Sequence, residues 1–343
     1  MLYEVLSCLV WPGILALPLI LTTNDLYKQV FPAEWYDLQG RDFWYNKGVW
    51  PSPLGLSLGL GAVVVGQFFT ILYFAFIMRV QGLKNNQTKK SDSEESEQGS
   101  TKSFPAIQKA GARSYDFYEG LVTHLAQPEG FVMLGGYLVG TWMTGLMPSS
   151  YYAFEGGINW FQVLQQLLLQ DLTQYLMHLV EHEVKTQSVV HFPALSNMFG
   201  SSDDSSSRAK VVIKWPFNLY TVSHKPHHRF TNPRMFDAYN GSPTDTFLMI
   251  LVPLIVTARL VDANVWTYMA FGSLYANWLT LIHAEYSHPW DPFFRKIGLG
   301  TSSDHHVHHK LFNFNYGHTF MYWDRIFGTY RDPTTVSEFN RGI

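Results

Sequence analysis

Residues 305–309 read His305-His306-Val307-His308-His309, and two related clusters lie upstream, His178-Leu179-Val180-Glu181-His182 and His224-Lys225-Pro226-His227-His228. On a helix, positions i and i+4 lie on one face a turn apart, so His178 and His182 turn two imidazoles toward one point. In an HxxHH box i and i+3 or i+4 share a face while the adjacent histidine points elsewhere. One such box can therefore supply ligands to two neighbouring metal positions. A single HxxxH is ordinary on an amphipathic helix; three boxes in one chain, each beside apolar segments, point to metal. His283 and His288, just upstream of the third box, bring the candidate ligands to ten: His178, His182, His224, His227, His228, His283, His288, His305, His308 and His309. His306 is left as the non-ligand position of its box and His318 as an imidazole behind the ligands, whereas His124 and His191 read as structural or exposed.

The donor chemistry narrows the metal. The chain has one cysteine, Cys8, which excludes a disulfide framework, a CxxC redox centre and a thiolate-bound cluster. Imidazole-only ligation suits zinc, iron, copper or nickel. A structural zinc site closes with four ligands, so ten histidines fit two ions better than one. Two redox ions held close together suit two-electron activation of O2. Asp171, Glu181 and Asp304 lie within or beside the boxes and are candidates to orient imidazoles by accepting their second N–H.

The 343 residues include only 15% charged and 16% aromatic side chains, with a net charge of −3. That composition excludes a disordered chain and gives no basic field for nucleic acid. Residues 1–22 are apolar without a basic lead-in and read as a retained membrane anchor. Leu54–Met78 is long enough to span a bilayer and is followed by Arg79, Lys84, Lys89 and Lys90, which places that end in the cytosol. Phe131–Met147 is a short apolar stretch. Ile158–His182 has helical periodicity with Gln162, Gln165, Gln166, Gln170 and Asp171 at intervals, as in a helix entering from the interface. Phe247–Val261 and Val265–Ile282, joined by the Asp262–Asn264 turn, form a candidate helical hairpin. The expected fold is mainly α: polytopic membrane helices with a cytosolic helical cap holding a histidine-rich dimetal site. The organisation read from sequence is membrane segments at 1–83, a polar disordered linker at 84–113 and a histidine-bearing membrane domain at 114–343. A second flexible loop falls at 200–208.

At the three boxes the chain resembles the fatty acid hydroxylase superfamily of membrane di-iron enzymes, which includes sterol desaturases and hydroxylases. The pattern HxxxH, HxxHH, HxxHH falls on His178/His182, His224/His227/His228 and His305/His308/His309. Asp171-x-x-x-Tyr175 precedes the first box. His224-Lys-Pro-His-His, Asn315-Tyr-Gly-His318 and Trp323-Asp-Arg-Ile-Phe-Gly-Thr-Tyr330 resemble the C-5 sterol desaturase branch. The resemblance covers roughly residues 160–332, and residues 183–223 form an insertion longer than that branch usually carries. It implies two iron ions, O2, and electrons from NAD(P)H through a separate reductase and cytochrome b5 or an equivalent carrier. It also implies a multi-pass endoplasmic reticulum enzyme with the boxes facing the cytosol and a membrane lipid as substrate. C-5 sterol desaturation is the first expectation, with squalene epoxidation in a divergent branch and lipid hydroxylation as alternatives. A non-enzymatic membrane metal-binding protein is the remote one. Tyr268, Phe271, Tyr275 and Trp278 are candidates to line the substrate path, and no nucleic-acid partner is expected.

Overall fold

The computed structural model describes residues 22–36, 54–59, 61, 69–77, 79, 104–112, 133–185, 187–191, 210–341 and 343. Residues 1–21 of the expected anchor, the polar tract at 84–103, the 200–208 loop and His124 lie outside the described residues. The described part is mainly helical: α1 (Met133–Thr144), α2 (Trp160–Glu183), α3 (Pro243–Leu260), α4 (Val265–Ile282), α5 (Ser302–Leu311) and α6 (Tyr322–Phe327).

Helix α2 starts where Asn159 Oδ1 accepts the backbone N–H groups of Phe161 and Gln162 at 3.1 and 3.2 Å, the usual work of an N-cap asparagine. Its buried stripe is largely polar, with Gln166, Gln170, Asp171, Gln174, His178, Glu181 and His182 recurring at helical spacing. Its opposite face exposes Phe161, Leu164, Leu176 and Val180. The helix is therefore amphipathic in the inverted sense, polar side inward. Helices α3 and α4 both pack on it. Helix α4 is apolar all round and buried along nearly its whole length, as a central helix must be. Asn264 Oδ1 caps it through Thr267 N at 3.0 Å, and the Tyr268 hydroxyl donates to Val261 O at 2.8 Å, closing the 262–264 turn. Among the described residues, α3 is the one helix long and apolar enough to cross a membrane. Helix α1 is described over 12 residues, Met133–Thr144.

Two features depart from the sequence reading. The insertion between the first two boxes contains an antiparallel ribbon, Gln187–His191 (β1) paired with Lys210–Lys214 (β2), with Val189 opposite Val212. The other departure concerns residues 104–112, assigned from sequence to the linker. They are packed into the fold. Ala106 bridges to Tyr286 and Gln108 to Phe339, and Ile107 is fully buried beside Val307, Val336 and Phe339. Two apolar residues, Phe104 and Ile107, give this otherwise unremarkable stretch enough surface to bury.

The loop that follows α5 is held by two buried carboxylates. Asp171 accepts the backbone N–H groups of His318 and Thr319 at 3.1 and 2.6 Å through Oδ1, and that of Phe320 at 3.1 Å through Oδ2. Asp324 takes Tyr316 N and Gly317 N, both at 2.8 Å. The backbone turns so tightly here that a Cβ on Gly317 would stand 2.6 Å from Phe320 O. Asp171→Ala should strand three buried donors and lower unfolding stability by about 3 kcal/mol or more. A drop in the thermal midpoint of the detergent-purified protein checks this, and an unchanged midpoint would contradict it.

Candidate dimetal site

The boxes come together on four pieces of backbone. The first lies on the last turns of α2. The second lies on a tight π-turn, Tyr220–His224, running into a 3-10 turn, His227–Arg229. His283 ends α4, and the third box occupies α5, whose start is fixed by the Thr301–Asp304 capping box. Nine imidazoles form two groups. His178, His182, His224, His228 and His308 each offer a nitrogen, all within 4.8 Å of one another; so do His227, His283, His305 and His309. Each HxxHH box divides between them. His224 and His228 face the first group and His227 the second, while His305 and His309 face the second and His308 the first.

Within the groups the Nε2 atoms face each other. His178 and His224 stand 2.8 Å apart, His308 and His228 3.0 Å, and His182 and His228 3.2 Å. In the second group the separations are 3.0 Å for His305 and His283, 3.1 Å for His309 and His305, and 3.4 Å for His283 and His227. Two nitrogens bound at right angles to one ion, each about 2.1 Å from it, stand about 3.0 Å apart. The Nδ1 atoms explain why these contacts suit cations. His178, His308 and His283 donate Nδ1–H to the carbonyls of Tyr316, Phe314 and Leu279 at 2.8, 2.8 and 2.6 Å, and His224 donates to Asp245 Oδ1 at 2.7 Å. With the proton held there, Nε2 carries the lone pair. Where both rings donate Nδ1–H, as in His178 and His224, two lone pairs face each other at 2.8 Å and repel unless a cation sits between them; the donors of both groups fit metal ions.

Burial pushes the imidazole of His227 down to about 4 and those of His224, His228, His305, His308 and His309 well below the ordinary histidine value. All are neutral near pH 7, the form that binds metal.

His288 belongs to neither group, for a physical reason. Its Nε2 donates to Leu281 O at 3.0 Å, its Nδ1 pairs with the Tyr73 hydroxyl at 2.9 Å, and its ring stacks on Trp290. Both ring nitrogens are thus engaged away from the groups. His306 donates Nε2–H to Ala284 O at 3.0 Å and meets Gln108 Nε2 through Nδ1 at 3.2 Å, consistent with its place outside the ligands. His318 lies against both groups without joining either. Of the three candidate orienting carboxylates, only Glu181 approaches an imidazole, at 3.6 Å from His224 Nδ1. Asp171 holds the 318–320 loop instead, and Asp304 caps α5 and meets the Tyr330 hydroxyl. The residue that grips His224 is Asp245, which the sequence disguises. In Ser242-Pro243-Thr244-Asp245 it reads as an ordinary first-turn acid, and Ser242 does cap its N–H.

The fatty acid hydroxylase family model matches residues 163–329. An alternative squalene epoxidase of Phaeodactylum tricornutum is 49% identical over 96% of this chain and 80% of its own length. The chain belongs to the fatty acid hydroxylase family. A Delta(7)-sterol 5(6)-desaturase of Leptosphaeria maculans is 26% identical over 57% of this chain and 62% of its own length. A lathosterol oxidase of Rattus norvegicus is 33% identical over 34% of this chain and 38% of its own length. No solved structure matches. Family membership makes the protein an oxidoreductase of lipid metabolism built on a histidine cluster.

In this family member a cavity of about 430 Å³, lined in part by His224, His227, His283 and His318, opens on the two groups. It shares Tyr239, Ile250 and Leu279 as walls with an apolar cavity of about 670 Å³ between α3 and α4. Tyr268, Phe271 and Tyr275 line the apolar cavity. Trp278 does not; it faces the other side of α4 and stacks on Phe294 at 5.3 Å.

Two outcomes follow. His227→Ala should lower bound metal and abolish turnover while the helical content stays intact; full metal and full activity in a folded variant would defeat the ligand assignment. The metal-free protein should also lose stability as pH falls. Its buried histidines hold depressed values, so below about 6.5 the unfolded chain binds more protons than the folded one. Unfolding midpoints should therefore drop progressively from pH 6.5 toward pH 4; a flat profile would argue against neutral buried imidazoles.

Proposed function

We propose that the protein is a membrane-bound di-iron oxidase that epoxidises squalene or a closely related acyclic hydrocarbon. The observation that carries this reading is the extent of the likeness to the alternative squalene epoxidase, 49% identity across 96% of the chain. The sterol desaturase likeness is lower and covers 57% of the chain or less. The first expectation, C-5 sterol desaturation, therefore gives way to the epoxidase alternative.

The cavity supports the same choice. A sterol carries a hydroxyl that needs a polar partner when buried. Three of the four tyrosines that line the apolar cavity already donate their hydroxyls to protein acceptors: Tyr268 to Ala258 O and Val261 O, Tyr275 to Gln174 Oε1 and Tyr239 to Ala276 O. A substrate without polar groups asks nothing of them and suits the largely apolar lining.

His178, His182, His224, His228 and His308 would hold one iron, and His227, His283, His305 and His309 the other. When bound, the pair supplies two-electron activation of O2. One oxygen atom enters the carbon–carbon double bond, and the other leaves as water with two protons and two electrons. The electrons come from NAD(P)H through an external reductase and cytochrome b5 or an equivalent carrier. The chain's own residues orient and seclude. Tyr268, Phe271 and Tyr275 hold the hydrocarbon along α4 with one end at the histidines, and Ile250 and Leu279 keep water from the junction. The apolar outer face of α2 and the apolar α3 support a membrane location, and the family supports the endoplasmic reticulum with the histidine boxes toward the cytosol.

The test is product analysis in microsomes supplied with NADH, a cytochrome b5 system and O2. Squalene should gain one oxygen atom, while a Δ7 sterol offered separately should remain unchanged. Loss of two hydrogens from the sterol with squalene untouched would overturn the epoxidase reading.

A further inference from the structure

Resting on the dimetal reading above, we propose that His318 is a tenth nitrogen donor, serving the position held by His227, His283, His305 and His309. The two groups are unequal, five imidazoles against four. His318 borders both groups, its ring centroid 5.2 Å from that of His178 in the larger one. Its ring centroid lies 5.0 Å from that of His305. The ring pairs that share this position fall in the same range, from 4.3 Å for His283 and His305 to 5.4 Å for His283 and His309. His227, His283 and His305 of the smaller group are among its electrostatic neighbours, against His178 of the larger one.

The imidazole is also chemically available. Nδ1 of His318 is buried without a hydrogen-bond partner, and neither ring nitrogen is inside a group. His228, His305 and His309 likewise leave Nδ1 without a partner, but each commits Nε2 to a group. Leaving a buried ring nitrogen with no partner is unfavourable, and a bound ion removes that cost. The backbone is held for this duty. Asp171 grips His318 N, Thr319 N and Phe320 N, and Gly300 lies so close that a Cβ there would stand 2.2 Å from His318 O.

The experiment counts metal rather than turnover. The full-length protein, purified in detergent, is titrated with Co(II), and bound ions per chain and the Co(II) absorption bands are recorded. The wild-type chain should hold two ions. In His318→Ala the weaker ion should lose at least the roughly 10- to 100-fold in affinity that removal of an outer partner costs, with one set of bands changed. His318→Asp and His318→Asn match in shape and differ in donor strength. Aspartate should retain two ions and asparagine should fall toward one, which decides the matter even if the alanine variant fails to fold. Equal metal content, affinity and spectra in the Asp and Asn variants and the wild type would overturn the role of His318. Fewer than two ions in the wild type would overturn the dimetal reading itself.

Discussion

The structure depends on keeping protons away from the centre of a crowd of imidazoles. Every ring that donates Nδ1–H outward, to the carbonyls of Tyr316, Phe314 and Leu279 or to Asp245, turns a lone pair inward. That requirement explains much that otherwise looks arbitrary. The polar stripe of α2 faces the protein interior because its histidines must. The second box sits on π and 3-10 turns rather than a regular helix because His224, His227 and His228 have to reach two different points. The left-handed backbone at Phe312 ends α5 in time for Phe314 O to meet His308.

The surrounding loop shows how much polar machinery is needed to hold carbonyls still. A carbonyl is a useful acceptor only if its peptide is fixed. Tyr316 is fixed through its N–H by Asp324, and the segment after it by Asp171. Asn315, whose side chain ties Asp304 O to Arg331 O at 3.0 Å each, adopts the left-handed conformation that asparagine tolerates. The Asn315-Tyr316-Gly317 stretch is thus a frame for the histidines, working through main-chain geometry.

Much of this was legible in the sequence. Spacing alone located the three boxes, the sharing of each HxxHH between two points, the exclusion of His306 and the helical segments at 158–182 and 265–282. What spacing could not convey was which polar partner each residue meets in three dimensions. His288 lies beside the third box in sequence but turns toward Tyr73 and Leu281 O. Asp171 and Asp304 lie beside histidines and serve backbone N–H groups instead, while Asp245, in a different helix, takes the role foreseen for them. Residues 104–112 were read as linker because composition averages hide two apolar side chains that dock among residues far along the chain.

Helix α4 carries both halves of the chemistry on one rigid body. Tyr268, Phe271 and Tyr275 face the apolar cavity along its length, and His283 stands at its end among the nitrogens. A rod packed on all sides shifts as a unit. A ligand that displaced the cavity wall would therefore also move His283, and a change at His283 would reach the wall. Occupancy of the cavity and the state of the metal centre are in that sense two ligands of one helix. Any such coupling is reciprocal, each changing the affinity of the other by the same factor.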